Sequence, residues 1–125
     1  MKFSVVHNPY SDEANMENFE IKPEDILNTS LYTVSFYKDY IIYHKHKENT
    51  VEDKVSLIID KYNDIRGTCI ITKENGIVSE EEFYNDFEFN GIIDDQINKE
   101  YTTIITKEGL KEIEQYLEVE VGLEN

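Results

Sequence analysis

Apolar and polar positions along the chain change period several times, and each change marks a predicted element. KFSVVH at 2–7 is a short run of branched and aromatic residues closed by Asn8-Pro9, which predicts an opening strand and a turn. YSDEANMENFEIK has weak periodicity and reads as an ordered loop or a short helix. Pro23 with Glu24 and Asp25 behind it suits the first turn of a short helix, where proline surrenders no needed donor and acids meet the amide dipoles. LYTVSFYKDYIIYHKHK at 31–47 is rich in aromatic and branched residues and predicts a hairpin turning near Lys38-Asp39.

The helical period is clearest in TVEDKVSLIIDKYNDIRG, which begins at Thr50. Thr50 offers an N-cap with Asp53 in the reciprocal position, Val51, Val55, Ile58, Ile59 and Tyr62 form an apolar stripe, and Gly67 supplies a stop. The spacing predicts a core helix packed on a sheet. TCIITKENGI at 68–77 and TTIITKEGL at 102–110 nearly repeat one another, each predicting a branched strand and then a polar break. One short match indicates reuse of a local solution and not a duplicated domain. After the second comes a predicted helix, LKEIEQYLEV, with Leu110, Ile113, Tyr116 and Leu117 inward and Glu108, Glu112 and Glu118 outward.

Between the two repeats lies SEEEFYNDFEFNG, residues 79–91, with five carboxylates, four aromatic rings and no basic residue. Ser79 can cap a helix and Glu82 can return the bond, while Glu80 and Glu81 sit where amide dipoles favour anions. Phe83 and Phe87, four apart, would anchor one side, leaving the carboxylates outward. Asn90-Gly91 reads as the closing turn before a short strand at GIIDD. Together these elements predict an α+β domain covering residues 1–125: a mostly antiparallel sheet of about five strands with two main helices and a short acidic helix. A winged-helix arrangement is the alternative.

Composition agrees with one folded domain, since 39% of the 125 residues are apolar and 12% aromatic. Charge changes the picture more. With 27 acidic and 12 basic residues the net is −15, beyond what solubility asks of a small domain. Residues 1–62 carry 11 acids and 7 bases, a net of −4, whereas residues 63–125 carry 16 acids and 5 bases, a net of −11. From Ser79 to Glu100 eight acids face only Lys99. Such a balance repels nucleic acid and anionic membrane and attracts a basic protein surface. The single cysteine, Cys69, sits in an apolar run and reads as a buried small hydrophobe. The apolar part of MKFSVVHNPY is too short for a signal peptide and no stretch reaches membrane-spanning length, so a cytoplasmic protein is expected.

Candidate chemistry is sparse. His44 and His46 share a strand face, but His7 is remote and no third metal ligand can be named. Adjacent acids such as Glu80-Glu81 or Asp94-Asp95 diverge on regular elements, and no calcium loop, phosphate-binding glycine loop or paired cysteine motif is present. The residues therefore predict no catalytic site, metal or cofactor. They suit a binding face better: carboxylates accept bidentate bonds from arginine, and Tyr84 adds a hydroxyl and a ring. Glu80, Glu81, Glu82, Tyr84, Asp86, Glu88, Asp94 and Asp95 form the expected partner-binding set. Against a surface that grips phosphates through Lys and Arg, such an array could stand in for DNA.

EEEFYND at 80–86 resembles a segment of the small acidic anti-CRISPR proteins with which phages inhibit Cas9. The resemblance covers 7 of 125 residues, and Ser79 stands where the family's well-known member has an aspartate. It implies that Glu80 competes with DNA for basic residues where Cas9 reads the motif flanking its target. The expected function is a noncatalytic inhibitor, a DNA mimic acting on Cas9 or another defence nuclease. The alternatives are an immunity protein for a basic toxin, or a structural or regulatory domain with an acidic surface. Oligomeric state is not legible.

Overall fold

The computed structural model describes residues 3–10, 15–18, 22–94 and 99–124 of the chain. These residues form an α+β fold of two sheets. The first sheet is antiparallel throughout and contains β1 (Phe3–His7), β2 (Asn15–Asn18), β3 (Tyr32–Tyr37), β4 (Tyr40–Lys45) and β7 (Cys69–Lys73), in the spatial order β2-β1-β7-β4-β3. The second contains β5 (Val55–Asp60), β6 (Asn63–Arg66), β8 (Phe87–Asp94) and β9 (Lys99–Thr106), in the order β6-β5-β9-β8. Its outer pairs are antiparallel, and the central β5-β9 pair is parallel. The helices are α1 (Pro23–Leu27), α2 (Glu80–Asp86) and α3 (Lys107–Glu124).

The main core lies between the sheets. Val5, Tyr40, Ile42, Cys69 and Ile71 from the first meet Leu57, Ile65, Phe87 and Ile104 from the second, with Val78 and Phe83 closing one end. Alternation along β4 shows how the pattern positions these groups: Tyr40, Ile42 and His44 are buried on one face while Ile41, Tyr43 and Lys45 lie half-buried on the other. A smaller cluster covers the outer face of the first sheet, where Leu27 of α1 packs on Ile70 with Val6, Ile26, Tyr32 and Tyr43 around them. The end of β1 ties the sheets together, since Thr102 N–H donates to the Pro9 carbonyl at 2.9 Å and His7 Nε2 donates to the Thr102 carbonyl at 3.0 Å.

Several expectations hold: the opening strand, the Pro23 helix, the hairpin turning at Lys38-Asp39, β7, the acidic helix and a strand leading into α3. The architecture differs from one sheet of about five strands, chiefly because the helix expected from Thr50 is absent. Residues 55–66 instead form the β5-β6 hairpin, with register shifts between Val55 and Leu57 and between Ile58 and Asp60. The supposed stripe is not a buried face, for Val51 is 70% and Tyr62 78% exposed, while Ser56, Leu57 and Ile65 go inside. Thr50 caps nothing there. Its hydroxyl donates to the Lys47 carbonyl at 3.1 Å, beside a single 3-10 turn at Lys47–Asn49. The run VSLIID is apolar enough for either state, and β-branched residues buried between sheets favour the strand. Without this helix the winged-helix alternative also fails, because α1 and α2 span only five and seven residues.

Two smaller corrections bear on the acidic segment. Asn90 and Gly91 make no turn; they continue β8, opposite Thr103 and Thr102 of β9. The helix after the second repeat starts at Lys107, directly after β9, so TKEG is its first turn and not a break before it. In that turn Thr106 Oγ1 accepts from Gly109 N–H at 3.0 Å and donates to the Ile59 carbonyl. Leu110 and Ile113 are half-buried. Of the loosely patterned segment after Tyr10, residues 15–18 form β2, and the remainder up to Ile21 lies outside the described residues.

Candidate functional site: the acidic face of the second helix

α2 forms where its sequence says a helix should begin. Ser79 is extended, its hydroxyl accepts from Glu82 N–H at 3.2 Å, and Phe83 N–H donates to the Ser79 carbonyl at 3.0 Å. The reciprocal half of the capping box is not formed, because the Glu82 carboxylate turns to Lys73 instead. Phe83 is the buried residue of this helix and stacks on Phe87 at 4.8 Å between ring centroids. Phe87 has already left the helix and opens β8, so the two rings fasten α2 to its own next strand. Phe89 and Tyr84 extend the aromatic cluster, with centroids 5.8 Å apart.

The eight expected partner-binding residues divide by their surroundings. Glu80 and Glu81 are exposed on the first turn and make no ion pair among the described residues, and Tyr84 is 53% exposed beside them. Glu82 is bound to Lys73, whose side chain is only 10% exposed, which also meets Asp39 at 3.3 Å and lies over the Tyr40 ring. Asp86 accepts from Lys38 Nζ at 2.9 Å and from the Tyr40 hydroxyl at 2.7 Å. Lys38 reaches Glu108 as well, at 3.4 Å, and Lys107 lies 3.7 Å from Glu88. Asp94 ends β8, and Asp95 lies outside the described residues.

Three lysines thus sit inside the acidic face. Around them are Asp39, Glu80, Glu81, Glu82, Asp86, Glu88 and Glu108, which leaves a surplus of four negative charges on the patch. Partial burial pushes the Asp86 carboxyl upward, but Lys38 and the Tyr40 hydroxyl outweigh it and hold its pKa below the ordinary value. Burial, then the bond to Asp86, pushes the Tyr40 phenol well up, so it remains a donor at all working pH. The bond to Glu82 holds Lys73 firmly charged. The sequence located the acids but not these lysines, because Lys38 and Lys73 are distant in the chain and arrive through the β4-β3 and β4-β7 pairings.

The histidines have structural partners. His44 Nδ1 donates to the Lys45 carbonyl at 2.9 Å and its Nε2 meets Ser35 Oγ at 2.7 Å, while His46 Nδ1 meets Thr33 Oγ1 at 2.6 Å. No group of three or more potential metal ligands occurs among the described residues. Cys69 is fully buried, and desolvation pushes its thiol pKa up to about 11, so no thiolate is available near neutral pH. Among the described residues no helix is long and apolar enough to cross a membrane.

Burial also holds the pKa values of His7 and His44 below the usual 6.5. The sign follows from proton counts. Below about pH 6.5 the unfolded chain protonates both imidazoles while the folded chain does not, so stability is full above that pH and declines beneath it until the folded groups titrate. Unfolding free energies from urea titration are expected to fall between pH 7.5 and 5, with a slope of at most one proton, about 1.4 kcal/mol per pH unit, for each histidine. His44→Gln should reduce that slope; an unchanged slope would assign it to His7 or to the carboxylates.

Comparison with protein-family models, with curated proteins and with solved structures returns no match.

Proposed function

We propose that this protein binds a basic, phosphate-gripping surface of a nucleic-acid-processing protein through the α2 face, and inhibits it by occupying the place of the nucleic acid. The observation that carries the reading is the exposed Glu80-Glu81-Tyr84 edge, carried on a helix fastened by the buried Phe83-Phe87 stack, whose two carboxylates make no ion pair among the described residues. A partner's arginines would meet carboxylates carried on a helix already fastened in place, and the chain's charge of −15 would speed their encounter. Glu82, Asp86 and Glu88 have a different part in this proposal: paired with lysines, they shape and hold the face more than they supply free charge. The resemblance of EEEFYND to anti-CRISPR inhibitors makes Cas9 the first target to try.

That internal pairing is also what favours the second reading, a structural or regulatory domain whose acidic surface answers to its own lysines. Titration of purified, guide-loaded Cas9 and a panel of purified restriction nucleases, each carrying labelled target DNA, separates the two. The proposed role predicts DNA displacement from at least one enzyme, weakened by added salt and at least about tenfold by Glu80→Gln with Glu81→Gln. Displacement that survives this double substitution removes the site from the proposal, and no displacement from any enzyme leaves the second reading.

A further inference from the structure

An open cleft runs between the β3-β4 edge and the β5-β6 hairpin, about 240 Å³ on the Arg66 side and about 270 Å³ on the Ser35 side. His44, Lys47, Asp64 and Ile65 line both parts. It lies about 13 Å along β4 from Tyr40, away from the α2 face. Ser35 and Phe36 point to opposite faces of β3 yet both line it, so the cleft wraps round the outer edge of the first sheet.

Elementary hydrogen-bond chemistry fixes the proton positions. A carbonyl oxygen only accepts, so His44 Nδ1 carries the ring proton and donates it to Lys45. Burial, with Lys47 and His46 adding to it, holds the ring neutral at pH 7. Its Nε2 is then a lone pair, and the Ser35 hydroxyl 2.7 Å away donates to it. A hydroxyl, a neutral imidazole and a third group that orients the imidazole are the components of an activated serine nucleophile. The neighbouring Thr33-His46 pair has the same first contact, but neither residue lines the cleft.

We propose that Ser35 is a nucleophile with His44 as its general base, in a site for small uncharged carboxylic esters. Ser35 Oγ bonds to the ester carbonyl carbon as its proton passes to His44 Nε2. The carbon–oxygen bond to the leaving group then breaks, and the departing alkoxide takes that proton. Water repeats the sequence on the acyl-serine, giving the acid and restoring the hydroxyl. Lys47 is the cation that lines the Ser35 part of the cleft and can face the oxyanion, while Phe36, Ile59 and Ile65 give the cleft its apolar lining. The Ser35 part alone, about 270 Å³, falls below the roughly 300–1,000 Å³ of sites for drug-sized ligands, which argues for a small acyl group, and Asp60 and Asp64 on the facing hairpin disfavour anions. This proposal is independent of the acidic face.

A biotinylated fluorophosphonate tests it on the full chain. The Ser35 Oγ–phosphorus bond forms, the phosphorus–fluorine bond breaks, fluoride leaves with the bonding pair, and the hydroxyl proton passes through His44 to water. One adduct is expected, mapped to Ser35 by tandem mass spectrometry, absent in Ser35→Ala and formed at least about 100-fold more slowly in His44→Gln. In the unaltered protein the labelling rate should fall as His44 protonates, below pH 6.5. No adduct on Ser35, or equal rates in a folded His44→Gln variant, overturns the proposal. Should that variant fail to fold, Ser35 labelling in the unaltered protein that is no faster than in the urea-unfolded chain overturns it equally.

Discussion

Phe83→Ala is expected to lower the unfolding free energy by about 3–5 kcal/mol, the range for removing a fully buried phenylalanine. Phe83 is 1% exposed and its ring lies 4.8 Å from Phe87, 5.7 Å from Phe89 and 5.6 Å from Tyr84. It is also what fastens α2, whose seven residues are too few to be stable as an isolated helix. The loss is therefore large against the ~5–15 kcal/mol that holds most domains together. Equilibrium unfolding in urea measures it, with an unchanged slope showing that both states keep their compactness. Hydrogen exchange adds a local readout, because the Glu82 and Phe83 amides bonded to Ser79 should lose protection first. A change below about 1 kcal/mol would mean that the ring cavity collapses and α2 is held by other contacts.

Gly109→Ala is expected to destabilise by about 1–3 kcal/mol or more, reversing the usual sign. Within a helix this exchange normally gains up to about 1 kcal/mol. Here a Cβ would stand 2.5 Å from the Ile59 carbonyl oxygen and 2.8 Å from Thr106 Oγ1. Neither neighbour is free to retreat: Ile59 is in the backbone of β5, and Thr106 bonds both that carbonyl and the Gly109 amide. The substitution forces the first turn of α3 away from β5 or breaks its cap. A thermal shift measurement on the single variant decides the sign, and a rise in melting temperature would show that the approach of α3 to β5 is looser than these distances.

What the sequence disclosed follows from how local each signal was. Ser79, Pro23 and the Lys38-Asp39 turn act within a few residues, and the elements they mark were legible. Residues 50–66 were misread because Val51, Val55, Ile58, Ile59 and Tyr62 fit a helical period by spacing alone. The deciding fact, that Leu57 and Ile58 pair with Ile104 and Ile105 of β9, is far away in the chain. The acidic face was half legible for the same reason. Its carboxylates are contiguous in sequence, whereas the lysines that bind Glu82 and Asp86 come from the end of β7 and from the β3-β4 turn of the first sheet. Ser35 and His44 gave no signal, since nine residues across a hairpin spell no motif.

The parallel seating of β9 beside β5 also sets an order of events. Thr106 reaches Ile59 across 47 residues, and β9 can pair with β5 only after β6, β7, α2 and β8 have been laid down. Closing so long a loop before any reward from contact is slow, so this strand should be among the last to dock. Until residue 99 has emerged during synthesis, β5 presents Leu57, Ile58 and Ile59 along an unpaired edge. Such an edge invites pairing with another chain, and the interval before β9 arrives is when newly made protein is most exposed to aggregation.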